Sequence, residues 1–290
     1  ARLALHHGLA LPTALPANLA VTPQTLQAGD ALRRRLGHYL GATLYFEGEW
    51  YWGIDRLHHL EARLTQAGLR KEPEHEPLYP PPRVSSAHSA APTTVDLARA
   101  RRLTFFCSLR SPYTYLAVDR VRALAASYGA TLELAFVLPM VMRGLPVNQA
   151  KRLYIVRDAK REAERLNLPF GDIADPVGLP TERGLAVLNH AIAAGCGPDF
   201  LESFLRGVFA EGIDAGSQRG LQRIAHRAGM DWAAVTRALD DPSWRTLAQQ
   251  HRDRMQHLGL WGVPSFQVDD RPGLWGQDRL FMVEQDLAAA

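Results

Sequence analysis

The chain has 290 residues, enough for one large domain or two modest ones, and 47% of them are hydrophobic, so a sizeable core is expected rather than disorder. Lysine plus arginine number 33 against 30 aspartate plus glutamate, a net charge of +3 with no basic stripe; this argues against nucleic-acid binding and leaves a mild preference for an anionic small molecule. The two cysteines, Cys107 and Cys196, form no CxxC and no zinc spacing, so no metal is expected, a secreted disulfide framework is excluded, and a reducing, cytoplasmic setting is favoured.

No apolar run approaches the roughly 18 residues of a membrane span. The stretch LALHHGLALPTALPANLA (3–20) is broken by histidines and prolines, makes a poor signal peptide, and reads as loop. Residues 71–94, KEPEHEPLYPPPRVSSAHSAAPTT, keep no helical or strand period and read as a linker reaching to about residue 100, extended near Pro80, Pro81 and Pro82.

Beyond the linker the elements are plain. LTFFC (103–107) is a short buried strand. YTYLAVDRVRALAASYG (113–129) is an amphipathic helix with Leu116, Val121, Leu124 and Ala125 on its apolar side, and TLELAFV (131–137) is a second strand. Strand, helix and strand with short connections predict a parallel pair. Six helical runs follow between about 140 and 255, punctuated by Gly, Pro or Asp. PSFQVDDRPGLWG then reads as strand, tight turn and strand, and QDRLFMVEQDL as a closing helix. The order β-α-β, a block of helices, then β-β-α is a thioredoxin-like α/β core over 101–290 with an all-helical insertion.

An internal repeat accounts for the N-terminal segment. Residues 40–64 parallel 261–287, anchored by Trp52-Gly53-Ile54-Asp55-Arg56-Leu57 against Trp275-Gly276-Gln277-Asp278-Arg279-Leu280, where five of six residues are identical. With two extra turn residues in the later copy, Thr43 falls opposite Pro264. Residues 1–70 are therefore expected to be the tail of a first, partial thioredoxin-like copy whose β-α-β half lies outside this sequence.

Chemistry is expected at Ser111-Pro112-Tyr113-Thr114, between the first strand and its helix, where unpaired N–H groups and the positive end of the helix dipole meet. Redox members of the fold carry Cys-x-x-Cys here. Ser111 and Thr114 occupy those two places and cannot form a disulfide. Cys107 reads as a buried core thiol and Cys196 as structural.

FFCSLRSPYTYLAVDRV resembles the start of 2-hydroxychromene-2-carboxylate isomerases and kappa-class glutathione transferases, whose signature is Ser-Pro-[Tyr/Phe]-Ser-[Tyr/Trp]-Leu. KRLYIVRDAKREAERLNLPF (151–170) resembles the first insertion helix of that family. GLWGVPSF resembles its Gly-[hydrophobic]-Pro segment, and WGQDRL its ending. The likeness runs over about 102–288 and belongs to the DsbA-like branch of the thioredoxin fold.

That resemblance implies glutathione as thiol cofactor, with Ser111 holding and activating its sulfur; the alternative is that Ser111 only caps the helix. It implies a cis bond at Pro264 that presents the Val263 backbone to the tripeptide, and a grip on the γ-glutamyl end by Gln277, Asp278 and Arg279, unless Asp278 is a cap and Arg279 is solvated. Lys151 is either a partner for the glycine carboxylate or a surface lysine. Thr114 replaces the second signature serine, the loop LPMVMRGLPVNQA carries a single Gly144-Leu145-Pro146 with Asn148 displaced, and Arg110 is bulkier than the family pattern.

The function expected is a glutathione-dependent isomerase or transferase for a small conjugated, anionic aromatic substrate, whose charge would suit Arg110, Arg143 and Lys151. No nucleic-acid or membrane partner is expected, and a homodimer is open. The other reading is a catalytically silent peptide- or protein-binding scaffold that uses Trp50, Tyr51 and Trp52 as its surface.

Overall fold

In the computed structural model, which describes Arg2 and residues 21–72, 76–81, 84 and 101–289, the chain forms two units: residues 1–83 with 148–154, and residues 84–147 with 155–290. The N-terminal stretch read as loop (3–20) and much of the linker, Pro82 included, lie outside the described residues.

In the first unit, helix α1 (Pro23–Arg35) is capped by Thr22, whose hydroxyl accepts from the Thr25 N–H, and Pro23 fills the first turn, where a missing N–H costs nothing. A hairpin follows: β1 (Thr43–Phe46) pairs antiparallel with β2 (Glu49–Trp52). Its two turn residues, Glu47 and Gly48, both have positive φ (43° and 86°), the handedness that matches the twist of paired strands. A 3₁₀ turn (Ile54–Arg56) then leads into α2 (Leu57–Gln66). Tyr51 is buried, and the Trp50 indole donates to the Leu36 carbonyl (3.1 Å) while its ring packs on His38. These two aromatics are thus committed within the unit, a correction to the idea that they form an open binding surface.

The second unit is built on β3 (Arg102–Cys107), which is central and therefore apolar on both faces. Helix α3 (Pro112–Ser127) carries the chain to β4 (Thr131–Phe136), parallel to β3 in the register Arg102↔Thr131 through Cys107↔Phe136. The helical block comprises α4 (Gln149–Arg165), whose residues up to Tyr154 count with the first unit, α5 (Leu179–Ala193), α6 (Gly197–Ala210), α7 (Gln218–Arg227), α8 (Trp232–Ala238) and α9 (Ser243–His257). Strands β5 (Ser265–Val268) and β6 (Leu274–Trp275) complete a sheet of order β4-β3-β5-β6, with both new pairings antiparallel. A 3₁₀ turn (Gln277–Arg279) precedes α10 (Leu280–Ala288), where the sequence pattern reads as one helix from 277. This is the thioredoxin-like core with a helical insertion that the element order predicts.

One face of the sheet buries Leu103, Phe105, Phe266 and Val268 against α3, α10 and the insertion; the Phe105 and Phe266 rings stack at 5.4 Å. Each such side chain contributes about 1.5–3 kcal/mol of burial. The other face packs Phe106 and Ala135 under Met255 and Leu260. Helices α5 and α6 approach closely at Gly184, where a Cβ would stand 2.5 Å from the Phe204 ring. Among the described residues no helix is long and apolar enough to cross a membrane.

The two hairpin-to-helix junctions share their local geometry. The Gly53 N–H donates to the Ala42 carbonyl and the Gly276 N–H to the Pro264 carbonyl, each at 2.9 Å. Trp52 pairs with Thr43 and Trp275 with Ser265. The ladder therefore sets Ala42, not Thr43, opposite Pro264, and the later hairpin carries one extra residue instead of two. A residue-type match cannot count turn residues; backbone pairing does.

Candidate active site

Ser111 stands just before α3 in an extended conformation, and its Oγ accepts a hydrogen bond from the Thr114 N–H at 3.2 Å. It is a helix cap by geometry. The same hydroxyl donates to the Val263 carbonyl at 3.4 Å, a long and weak contact. The bond between Val263 and Pro264 is cis, as the Gly-Val-Pro pattern predicts. Residues far apart in sequence thus meet at the end of β3. The Gln277–Arg279 turn is joined to them through the Gly276 N–H on the Pro264 carbonyl.

Gln277 is 1% exposed, and both ends of its amide are engaged. Its oxygen accepts from Arg120 Nη1 (2.7 Å), and its nitrogen donates to Glu162 Oε2 (2.8 Å) and to Asp278 Oδ1. Glu162 is fully buried and pairs with Arg165 at 2.7 Å. Burial, with the Arg165 charge second, brings the Arg120 guanidinium down to about 10 against the opposing pull of Asp278 and Glu162. The amide of Gln277 is therefore taken up inside the protein, which corrects its expected role as a ligand group. Asp278 and Arg279 are the half-buried members of that segment.

Tyr113 donates to Asp158 Oδ2 at 2.7 Å, tying α3 to α4 through a buried carboxylate that also faces Arg161 at 3.6 Å. Tyr115 donates to the Pro169 carbonyl, and burial pushes its phenol up to about 12. The Oγ of Thr114 is buried without a hydrogen-bond partner, so this residue serves Ser111 through its backbone N–H. Burial pushes the Cys107 thiol well above its ordinary range, and neither cysteine is bridged.

Two expected cations have surroundings of their own. Arg110 forms a two-pronged ion pair with Asp175, both contacts at 2.6 Å, so its charge is neutralised within the protein. Lys151 belongs to the first unit, with its Nζ 5.8 Å from the Tyr39 ring and its acidity raised by burial, whereas Ser111, Val263, Pro264 and Gln277–Arg279 belong to the second.

The sequence reasoning missed Arg120, Glu162 and Arg165. The spacing of Asp158 with Arg161 and of Glu162 with Arg165 was visible as i, i+3 pairs, but a charged helix reads as a solvated one.

The DSBA-like thioredoxin domain matches residues 102–288. The chain belongs to that family. Within it, the chain is similar to the 2-hydroxychromene-2-carboxylate isomerase of Pseudomonas putida, at 25% identity over 62% of this chain and 91% of the relative. The isomerase of the same name from Pseudomonas sp. strain C18 is also 25% identical, over 64% and 90%. Among solved structures, a 2-hydroxychromene-2-carboxylate isomerase superimposes with a TM-score of 0.54 at 21% identity, covering 63% of this chain and 93% of the other. The cytosolic disulfide reductase DsbM of Pseudomonas aeruginosa does so with a TM-score of 0.51 at 21% identity, over 64% and 95%. This DSBA-like thioredoxin domain thus has relatives named as isomerases, shares its fold with the reductase, and carries Ser111-Pro112-Tyr113-Thr114, without a cysteine, at the junction of β3 and α3.

Proposed function

We propose that this chain is a glutathione-dependent isomerase or transferase acting on a small conjugated, anionic aromatic substrate, with Ser111 holding and activating the glutathione thiol. The observation that carries this reading is the placement of the Ser111 hydroxyl at the start of α3, 3.4 Å from the carbonyl of Val263 beside cis Pro264.

The donor set fits a thiol ligand. The Ser111 proton is held only by the long contact to Val263, so a thiolate is a better acceptor than the carbonyl it now faces. The N–H groups of the first turn of α3 add a positive end of the helix dipole. Both effects favour the ionised sulfur. Val263 would supply backbone pairing for an extended peptide, while Asp278 and Arg279 would hold the γ-glutamyl ammonium and carboxylate. Bound glutathione supplies a sulfur nucleophile for reversible addition to a conjugated carbonyl. The relatives named as isomerases support this class of chemistry over disulfide exchange.

A reducing, cytoplasmic location suits a chain whose two thiols are unbridged. The shared hairpin geometry supports reading the first unit as the tail of a second thioredoxin-like copy.

The test is a thermal-shift titration with glutathione, in which a specific ligand raises the melting temperature by mass action. Isomerase turnover on a 2-hydroxychromene-2-carboxylate is then assayed with and without glutathione. A protein that binds no glutathione and turns nothing over overturns the proposal.

A further inference from the structure

The 3₁₀ turn Met140–Arg143 follows β4, and Arg252 lies on α9. His251, beside Arg252, sets its ring edge-on to Phe136, the last residue of β4, at 5.1 Å, and its Nδ1 donates to the Phe136 carbonyl at 3.0 Å. Both arginines therefore sit at the C-terminal end of β4. The Val137 N–H donates to the Cys107 carbonyl, so this is the end of the sheet from which the chain passes to Ser111 and α3.

The Nε of Arg143 and the Nε of Arg252 are both buried with no hydrogen-bond partner. Among the described residues no carboxylate forms an ion pair with either arginine: Glu133 is held by Arg254 at 2.6 Å, and Asp253, beside Arg252, accepts from the neutral Gln249 amide at 2.7 Å. The guanidinium of Arg143 is also held below its ordinary value, first by burial and then by the charge of Arg252. Two mutually repelling, partly desolvated cations without an ion-pair partner among the described residues are costly, and a planar anion bridging them lowers that cost.

We propose that Arg143 and Arg252 form a carboxylate subsite that binds the acid group of the aromatic substrate. For the identity of the occupant this rests on the function proposed above; the site itself rests on the two unpartnered arginines. Arg252 thereby becomes a specificity-determining residue contributed by the helical insertion.

The test uses the full chain, with salicylate as probe and methyl salicylate as its neutral control. Salicylate is expected to raise the melting temperature of the wild type, whereas the ester does not. Arg143→Gln and Arg252→Gln should each weaken salicylate binding about tenfold or more, while Arg252→Lys retains part of it. Because each glutamine variant relieves a repulsion, its melting temperature without ligand should stay level or rise. Equal salicylate affinity in wild type and double variant, or no salicylate binding at all, overturns the subsite. So does a fall in the ligand-free melting temperature of both single variants, since that would mark the arginines as structural. Glutathione titrations run in parallel separate the two proposals: an arginine-dependent salicylate response without any glutathione response sinks the thiol reading and leaves the subsite standing.

Discussion

The Ser111 hydroxyl donates to the carbonyl of Val263 at 3.4 Å while accepting from the Thr114 N–H at 3.2 Å, so one side chain both caps α3 and faces the residue before cis Pro264. The cap and the thiol contact are two uses of one oxygen, and substitution separates them.

Ser111→Ala should lower stability by about 1 kcal/mol through the lost cap. It should also reduce turnover by about ten- to a hundred-fold, the loss of a charge-assisted hydrogen bond to a thiolate. The ultraviolet thiolate band of bound glutathione, followed against pH, should move upward in the variant. Identical titration of the thiol in both proteins, with only the melting point changed, would reduce Ser111 to a cap.

Gln277→Leu should cost about 2–4 kcal/mol, because it deprives the buried Arg120 guanidinium and Glu162 carboxylate of the amide that joins them. Adding Arg120→Met should restore part of that loss. Denaturant melts decide the matter: a single variant within about 0.5 kcal/mol of wild type means the network carries no net stability.

His251 provides a pH signature. Burial, the largest influence, holds its ring below the ordinary histidine value of 6.5, against smaller upward pulls from its bond to the Phe136 carbonyl and from Glu133. The unfolded chain therefore takes up a proton that the folded chain refuses. The contribution of His251 is present above pH 6.5 and is lost as the pH falls below it. His251→Asn keeps a donor for the carbonyl and removes the titration. Its melting temperature should fall less steeply than that of wild type between pH 6.5 and about 5. Parallel slopes would mean that this ring titrates alike in both states.

Thiol titration distinguishes the cysteines. Half-buried Cys196 should react with Ellman reagent in the native protein, and Cys107 only after denaturation, because burial disfavours its thiolate. The protein should reduce no insulin disulfide. The absence of titratable thiols under denaturing conditions, as a Cys107–Cys196 disulfide would give, or measurable insulin reduction, would reopen disulfide chemistry.

Much of the core was legible because its signals are local. LTFFC is apolar at every position but Thr104 since β3 is buried on both faces, and Ser111-Pro112 announces a capped helix start. The pairing of Arg120 with Gln277 was not legible, since 157 positions separate them and a charged residue on a helix gives no sign that it faces inward. Arg110 was misassigned for the same reason. Its partner Asp175 lies 65 positions on, in a loop whose course only the packing of the insertion decides. The likeness of the two hairpin-to-helix motifs was visible, but the register inferred between them was off by one because the later turn is longer by one residue, not two.

The Glu162–Gln277–Arg120 cluster bears on how this fold can be recombined. Glu162 comes from the insertion, Arg120 from the helix after β3, and Gln277 from the C-terminal turn. Replacing the helical block with one from a relative that lacks a carboxylate at this place would leave the Gln277 amide facing a void, and trimming the C-terminal turn would leave Arg120 without its acceptor. A chimaera must therefore exchange all three segments together, and swaps made along apparent domain seams are expected to yield insoluble protein even when every helix boundary is respected.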